Sequence, residues 1–107
     1  MNTPAAIKRI RKSRKLTQVS LAEKVGITQH YLSQIETGNR VPSQKIIDKI
    51  CSELNVPVAY LTFMSVERAD VPESKQALYD ALWPALASMF EEVVNEVLPK
   101  EKSSINQ

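Results

Sequence analysis

Apolar positions along the first part of the chain recur at helical spacing and are punctuated by capping residues. Ile7 and Ile10 form one group, Leu21, Ala22 and Val25 a second, and Leu32 and Ile35 a third. Ile46, Ile47, Ile50, Cys51 and Leu54 follow, then Val58 and Leu61. No window alternates as a half-buried strand would, and only two glycines occur, so the pattern predicts an all-α chain. Thr3 before Pro4, Thr17, Thr28 and Ser43 stand where helix N-caps belong, because a short side-chain oxygen there accepts from an otherwise unpaired backbone N–H. Gly26 and Gly38 stand where helices stop, since glycine adopts the left-handed turn of a C-terminal cap. The expected helices are about 4–14, 17–25, 28–36, 43–54 and 57–63. Each is too short to persist alone in water, so the apolar faces must pack into one five-helix core.

Beyond position 64 the pattern changes. The stretch "SVERADVPES" reads as a linker, with Pro72 preventing a helix from running through it. Asp70 and Glu73 have capping-box spacing for a further helix over 72–98, kinked or broken at Pro84 and stopping before Pro99. On it Tyr79, Leu82, Leu86, Met89 and Val93 recur at steps of 3, 4, 3 and 4, the period of a coiled-coil seam. Leu78, Ala81, Ala85, Phe90, Val94 and Val97 widen this seam, and Trp83 is expected to fill the bend. A helix so apolar needs a partner, and a second copy of the chain is the expected one, met through Leu78, Leu82, Leu86, Met89, Phe90 and Val93, the other reading being that it packs on its own domain. The organisation expected is a domain over 1–66, then a linker, a dimerisation helix and a frayed polar tail over 67–107.

The third helix is peculiar. Gln29, His30, Tyr31, Ser33 and Gln34 crowd hydrogen-bonding groups into one short run, with only Leu32 and Ile35 to anchor it. Residues 18–36, "QVSLAEKVGITQHYLSQIE", have the layout of two helices joined by a sharp turn. Ala22 is small where the second helix crosses above it, Gly26 permits the turn, and Ile27 plugs the core beneath it. The outward face, Gln29, His30, Ser33 and Gln34, is left free to enter a groove.

In the residues "LTQVSLAEKVGIT", "LSQIETGNRVPS" and "CSELNVPVAYL" the chain resembles the DNA-binding domain of the lambda-repressor-like, or Xre-type, helix-turn-helix family. The likeness extends from about Ile7 to Leu61. It implies a five-helix lambda-repressor-like DNA-binding domain, to which the dimerisation helix is appended. It further implies that Gln18 contacts a DNA phosphate and braces the recognition helix, and that Gln29 and His30 reach base edges. Ser33 and Gln34 match later positions on the same face, and Thr28 matches a cap that also touches the DNA backbone. Arg40 matches a loop base close to phosphate or the minor groove, and its neighbour Asn39 is counted with the DNA-binding residues. Arg11 and Glu36 match an ion pair tying the first helix to the third. Thr37 stands where the family commonly has Asn, and His30-Tyr31 is a bulkier pair than usual. Tyr31 has two readings, packing at the domain edge or contacting sugar-phosphate.

The chemistry of these side chains agrees. Gln bonds adenine bidentately, donating to N7 and accepting from N6, and His donates to guanine N7 or O6. A face without acids avoids repulsion by a phosphate lattice. The net charge of +2 hides a division that fits this reading. Residues 1–66 carry ten Lys and Arg against four acids, whereas residues 67–107 carry four against eight. On the first helix Ile7 and Ile10 face the core, so Lys8, Arg9, Lys12 and Lys15 spread around its outside, about a third of them on phosphates.

Other functions find little support. The single His30 and single Cys51 make no metal set, and Cys51 reads as a buried apolar residue of a reduced, cytoplasmic protein. No apolar run approaches the ~18 residues of a membrane span, and the basic N-terminus lacks the apolar stretch of a signal peptide. No nucleophile–base pair or phosphate loop points to an enzyme, and no cofactor is expected. The expectation is therefore a homodimeric, nucleoid-associated repressor of transcription that binds double-stranded DNA at an inverted repeat. The alternative is an antitoxin that binds DNA with its first domain and a toxin with its C-terminal segment.

Overall fold

The computed structural model describes residues 1–97, and within that range every regular element is helical. The helices are α1 (Thr3–Ser13), α2 (Gln18–Val25), α3 (Gln29–Thr37), α4 (Gln44–Leu54), α5 (Val58–Met64) and α6 (Gln76–Val97). Two short 3-10 turns, Arg68–Asp70 and Glu73–Lys75, join α5 to α6. The expected stop before Pro99, the side chain of Val97 and the polar tail over 100–107 lie outside the described residues.

Local chemistry sets the boundaries. Thr17, Thr28 and Ser43 each accept from the backbone N–H three residues on, at 3.0, 3.0 and 3.2 Å. At α1 the cap is Asn2 rather than Thr3, its side chain accepting from the Ala5 N–H at 3.1 Å. Proline needs no N–H partner in the first turn, so Thr3 and Pro4 both fit inside the helix. Gly26 (φ 84°) and Gly38 (φ 85°) close α2 and α3 in the left-handed conformation. In both, the next residue's N–H returns to the helix, from Ile27 to the Ala22 carbonyl and from Asn39 to the Gln34 carbonyl. That is the bonding of a Schellman cap.

Eight side chains, Ile7, Ile10, Leu21, Val25, Leu32, Ile35, Ile50 and Leu54, are no more than 1% exposed and form the centre of the core. Burying each contributes about 1.5–3 kcal/mol. Ala6, Val56 and Tyr60 join them, while Val58, expected inside, is 38% exposed at the start of α5.

Arg14 is buried, 4% exposed, although it sits in the basic run of α1. Its guanidinium donates to the Asn55 carbonyl at 3.3 Å, where a cation complements the partial negative charge at the end of α4. Burial lowers its pKa from the ordinary value.

The C-terminal helix departs most from the sequence reading. It begins at Gln76, after the second 3-10 turn, and continues through Pro84 without a break. Asp70 does not cap it. Asp70 accepts from the Glu67 N–H at 2.8 Å and from the Met1 amine at 2.7 and 2.6 Å, so it ties the chain start to the linker. Neither does α6 stand free of the domain. Trp83 packs on Phe63 of α5 with ring centroids 4.6 Å apart, Phe90 meets Phe63 edge-on at 4.9 Å, and Tyr79 stacks on Trp83 at 5.3 Å. Ala87 is buried, Val94 packs against the core, and Glu91 pairs with Arg9 of α1 at 3.2 Å. These contacts fall on both sides of Pro84. They hold the helix together where proline removes a backbone hydrogen bond.

Candidate nucleic-acid interface

α2 and α3 meet across the Gly26 turn, with Leu21, Ala22 and Val25 buried against Leu32 and Ile35. Because α3 spends its apolar residues on that contact, Gln29 and His30 at its start are exposed, and Ser33 and Gln34 are half-buried on its flank. Thr28 is exposed beside them, its hydroxyl occupied as the α3 cap.

Beneath this face runs a chain of polar contacts that begins in the core. Arg11 and Glu36 form a buried ion pair, their side chains 7% and 1% exposed. Arg11 Nε donates to Glu36 Oε2 at 2.8 Å and Nη2 to Oε1 at 3.1 Å, the bidentate geometry in which such pairs are strongest. The third guanidinium nitrogen, Nη1, donates to the Leu16 carbonyl at 2.7 Å, so the charge has partners on every side. Gln18 Nε2 then donates to Glu36 Oε1 at 3.0 Å, and Gln29 Nε2 donates to Gln18 Oε1 at 3.1 Å.

The direction of this chain is fixed by chemistry. A carboxylate only accepts, so Gln18 must turn its amide nitrogen toward Glu36 and its oxygen toward Gln29. Gln29 must then donate. Its amide keeps one N–H and its oxygen unused at the exposed start of α3, which is the donor–acceptor pair that adenine N7 and N6 require.

After Gly38 the chain turns away from α3, with Asn39 and Arg40 exposed. The Asn39 and Arg40 backbone N–H groups both return to the Gln34 carbonyl, at 2.9 and 3.2 Å. Tyr31 packs against the core, and its ring centroid lies 5.9 Å from the Arg40 guanidinium carbon, within cation–π range. Arg40 is thus held beside the exposed end of α3. On α1 Arg9 pairs with Glu91 while its side chain stays 57% exposed, and Lys8, Lys12 and, just past the helix end, Lys15 are exposed. The Arg9 contact and the burial of Arg14 were invisible in the sequence, since a run such as "KRIRKSRK" gives no sign of which bases turn inward.

A family model described as "Helix-turn-helix" matches residues 7–61, about half the chain. The chain is 37% identical over 93 residues to the HTH-type transcriptional regulator YqaE of Bacillus subtilis (strain 168), covering 86% of this chain and 79% of that protein. It is 36% identical over 74 residues to the immunity repressor protein of Bacillus phage phi105, covering 65% of this chain and 51% of the repressor. A shorter likeness, 44% over 50 residues, links it to the antitoxin PezA of Streptococcus pneumoniae, of which it covers 32%. The fold, the motif and these likenesses together place the chain in the lambda-repressor-like, Xre-type helix-turn-helix family of DNA-binding transcriptional regulators.

Proposed function

We propose that this protein is a homodimeric repressor that binds an inverted-repeat operator through the major groove, with α3 as the reading helix. The observation that carries the proposal is the hydrogen-bonded chain from Glu36 through Gln18 to Gln29, which presents an oriented amide at the protein surface. In this reading Gln29 and His30 contact base edges, Ser33 and Gln34 extend the contact, and Gln18 and Thr28 meet phosphate. Asn39 and Arg40 reach the neighbouring backbone, with Tyr31 steadying Arg40. Exposed Lys8, Lys12 and Lys15 add attraction to the polyanion. Residues 1–66 read the DNA, and α6 supplies the two-fold contact. The protein acts in the cytoplasm, where its DNA is.

One helix reads only a few base pairs, and a two-fold dimer doubles that number with half-sites one helical turn apart or a multiple of it. Support for pairing through α6 comes from its outer face. Leu78, Leu82, Met89 and Val93 are each 48–55% exposed on the side turned from the domain, an apolar row of the kind that marks an interface. The antitoxin likeness spans too little of PezA to bring that protein's role across.

Selection of bound duplexes from a random library, followed by sequencing, tests the proposal. An enriched inverted repeat with half-site centres about 10 base pairs apart, or a multiple of that, is the expected result. Enrichment of no sequence, or of a single half-site alone, contradicts it.

A further inference from the structure

One turn of an α-helix takes 3.6 residues, so residues 78, 82, 85, 86, 89 and 93 lie on one face of α6, opposite Ala87 and Val94 on the docked face. Lys75, in the 3-10 turn just before the helix, lines the same groove as Leu78 and Leu82, and Glu96, one residue before the end of α6, lies on the same exposed face. The seam therefore runs from a positive end at Lys75 to a negative end at Glu96, with Glu92 beside it adding to the negative end. Its shape also differs along its length. Toward the start, Val71, Leu78, Leu82 and Leu86 line an open apolar groove of about 250 Å³. Toward the end, Met89 and Val93 stand out as a ridge, 51% and 49% exposed.

We infer that two copies of the protein pair through antiparallel α6 helices, with the two-fold axis passing between Ala85 and Leu86. This rests on the dimeric reading above and adds its orientation and register. About that axis Leu78 meets Val93 of the second copy, Leu82 meets Met89, and Lys75 meets Glu96. Each ridge enters the partner's groove, and both ends of the seam carry opposite charges across the contact. The helix dipoles also oppose one another. A parallel pairing loses all three advantages. It sets groove against groove, Lys75 against its own copy, and Glu92 and Glu96 against theirs, and like charges placed opposite each other are unfavourable.

Single cysteines introduced into the full-length protein and oxidised with diamide distinguish the arrangements. A disulfide needs Cα atoms within about 7 Å. The antiparallel register separates the two copies of position 78 by roughly 22 Å along the helix, fifteen residues at about 1.5 Å each. Native Cys51 is 1% exposed and stays out of the exchange. The expected result is that Leu78→Cys mixed with Val93→Cys gives a covalent heterodimer, whereas neither variant crosslinks to itself. Leu86→Cys, close to the axis, crosslinks to itself in either orientation and reports whether α6 is the contact at all. Self-crosslinking by Leu78→Cys overturns the antiparallel register and leaves the dimer intact. Failure of Leu86→Cys to crosslink overturns the α6 contact and the register together. As a second measurement, Lys75→Glu is expected to weaken dimerisation several-fold and Lys75→Glu with Glu96→Lys to restore it. Absence of that rescue contradicts the proposed pairing of Lys75 with Glu96.

Discussion

Gln18 donates its amide N–H to the Glu36 carboxylate at 3.0 Å, and so joins the buried ion pair to the exposed surface of α3. Glu36 belongs to α3 and Arg11 to α1, so one carboxylate links three helices through two donors. The position of Gln29 therefore depends on an arrangement set deep in the fold.

That dependence gives the first prediction. Arg11→Ala leaves Glu36 buried without its cation, and losing one partner of a buried pair costs about 3–5 kcal/mol. Chemical denaturation should show a loss of that size. A loss below ~1 kcal/mol would mean that water reaches Glu36 and the pair is not enclosed.

Gln18→Leu tests the relay without removing the ion pair. Stability should fall only modestly, by about 1 kcal/mol for the part-buried hydrogen bond to Glu36, because the bond from Gln29 is exposed to water and Arg11 still satisfies Glu36. Binding to the selected operator should fall further than binding to random duplex, since Gln29 loses the acceptor that orients it. Equal loss on both would show Gln18 to be a phosphate contact alone.

Cys51 provides a pH test. Burial, with a smaller effect of nearby Asp48, pushes its thiol up to about 11, above its ordinary value of 9.0. The folded state holds the proton more tightly than the unfolded chain does. Any contribution to stability is therefore complete below pH ~9 and lost as the pH rises toward ~11. At pH 8 a thiol reagent should leave the native protein unmodified and label it only on unfolding. Rapid labelling of native protein would contradict the burial of this side chain.

The apolar patterning and the cap chemistry of α2, α3 and α4 could be read from the chain because each depends on neighbours in sequence. Thr28 finds the Tyr31 N–H three residues on, and Gly38 turns for reasons internal to its own backbone. Other features depend on contacts remote in sequence. Nothing near Arg11 indicates that its partner lies 25 residues away, and only the family resemblance pointed to Glu36. The seam on α6 was legible as a period, but apolar residues lie on much of that helix. Which face meets the domain was decided by Phe63, whose ring receives both Trp83 and Phe90. Asp70 had the right spacing for a cap and was taken instead by the Met1 amine, a partner 69 residues away.

Docking of α6 changes how dimerisation should be probed. Ending the chain at residue 66 would uncover Phe63, so truncation tests folding and assembly at once. Leu82→Asp is cleaner, because Leu82 is 48% exposed and faces away from Phe63. Thermal stability of the monomer should change little, while sedimentation at micromolar concentration shifts from dimer to monomer. A variant that stays dimeric would place the contact elsewhere than the outer face of α6.

Gln29 is the proposed reader of bases, and binding of Gln29→Ala to the selected operator and to a scrambled duplex at one salt concentration measures that directly. Loss of a bidentate contact should weaken operator binding by about 1–3 kcal/mol and leave the scrambled duplex nearly unchanged. An equal loss on both duplexes, or no loss on either, would contradict it.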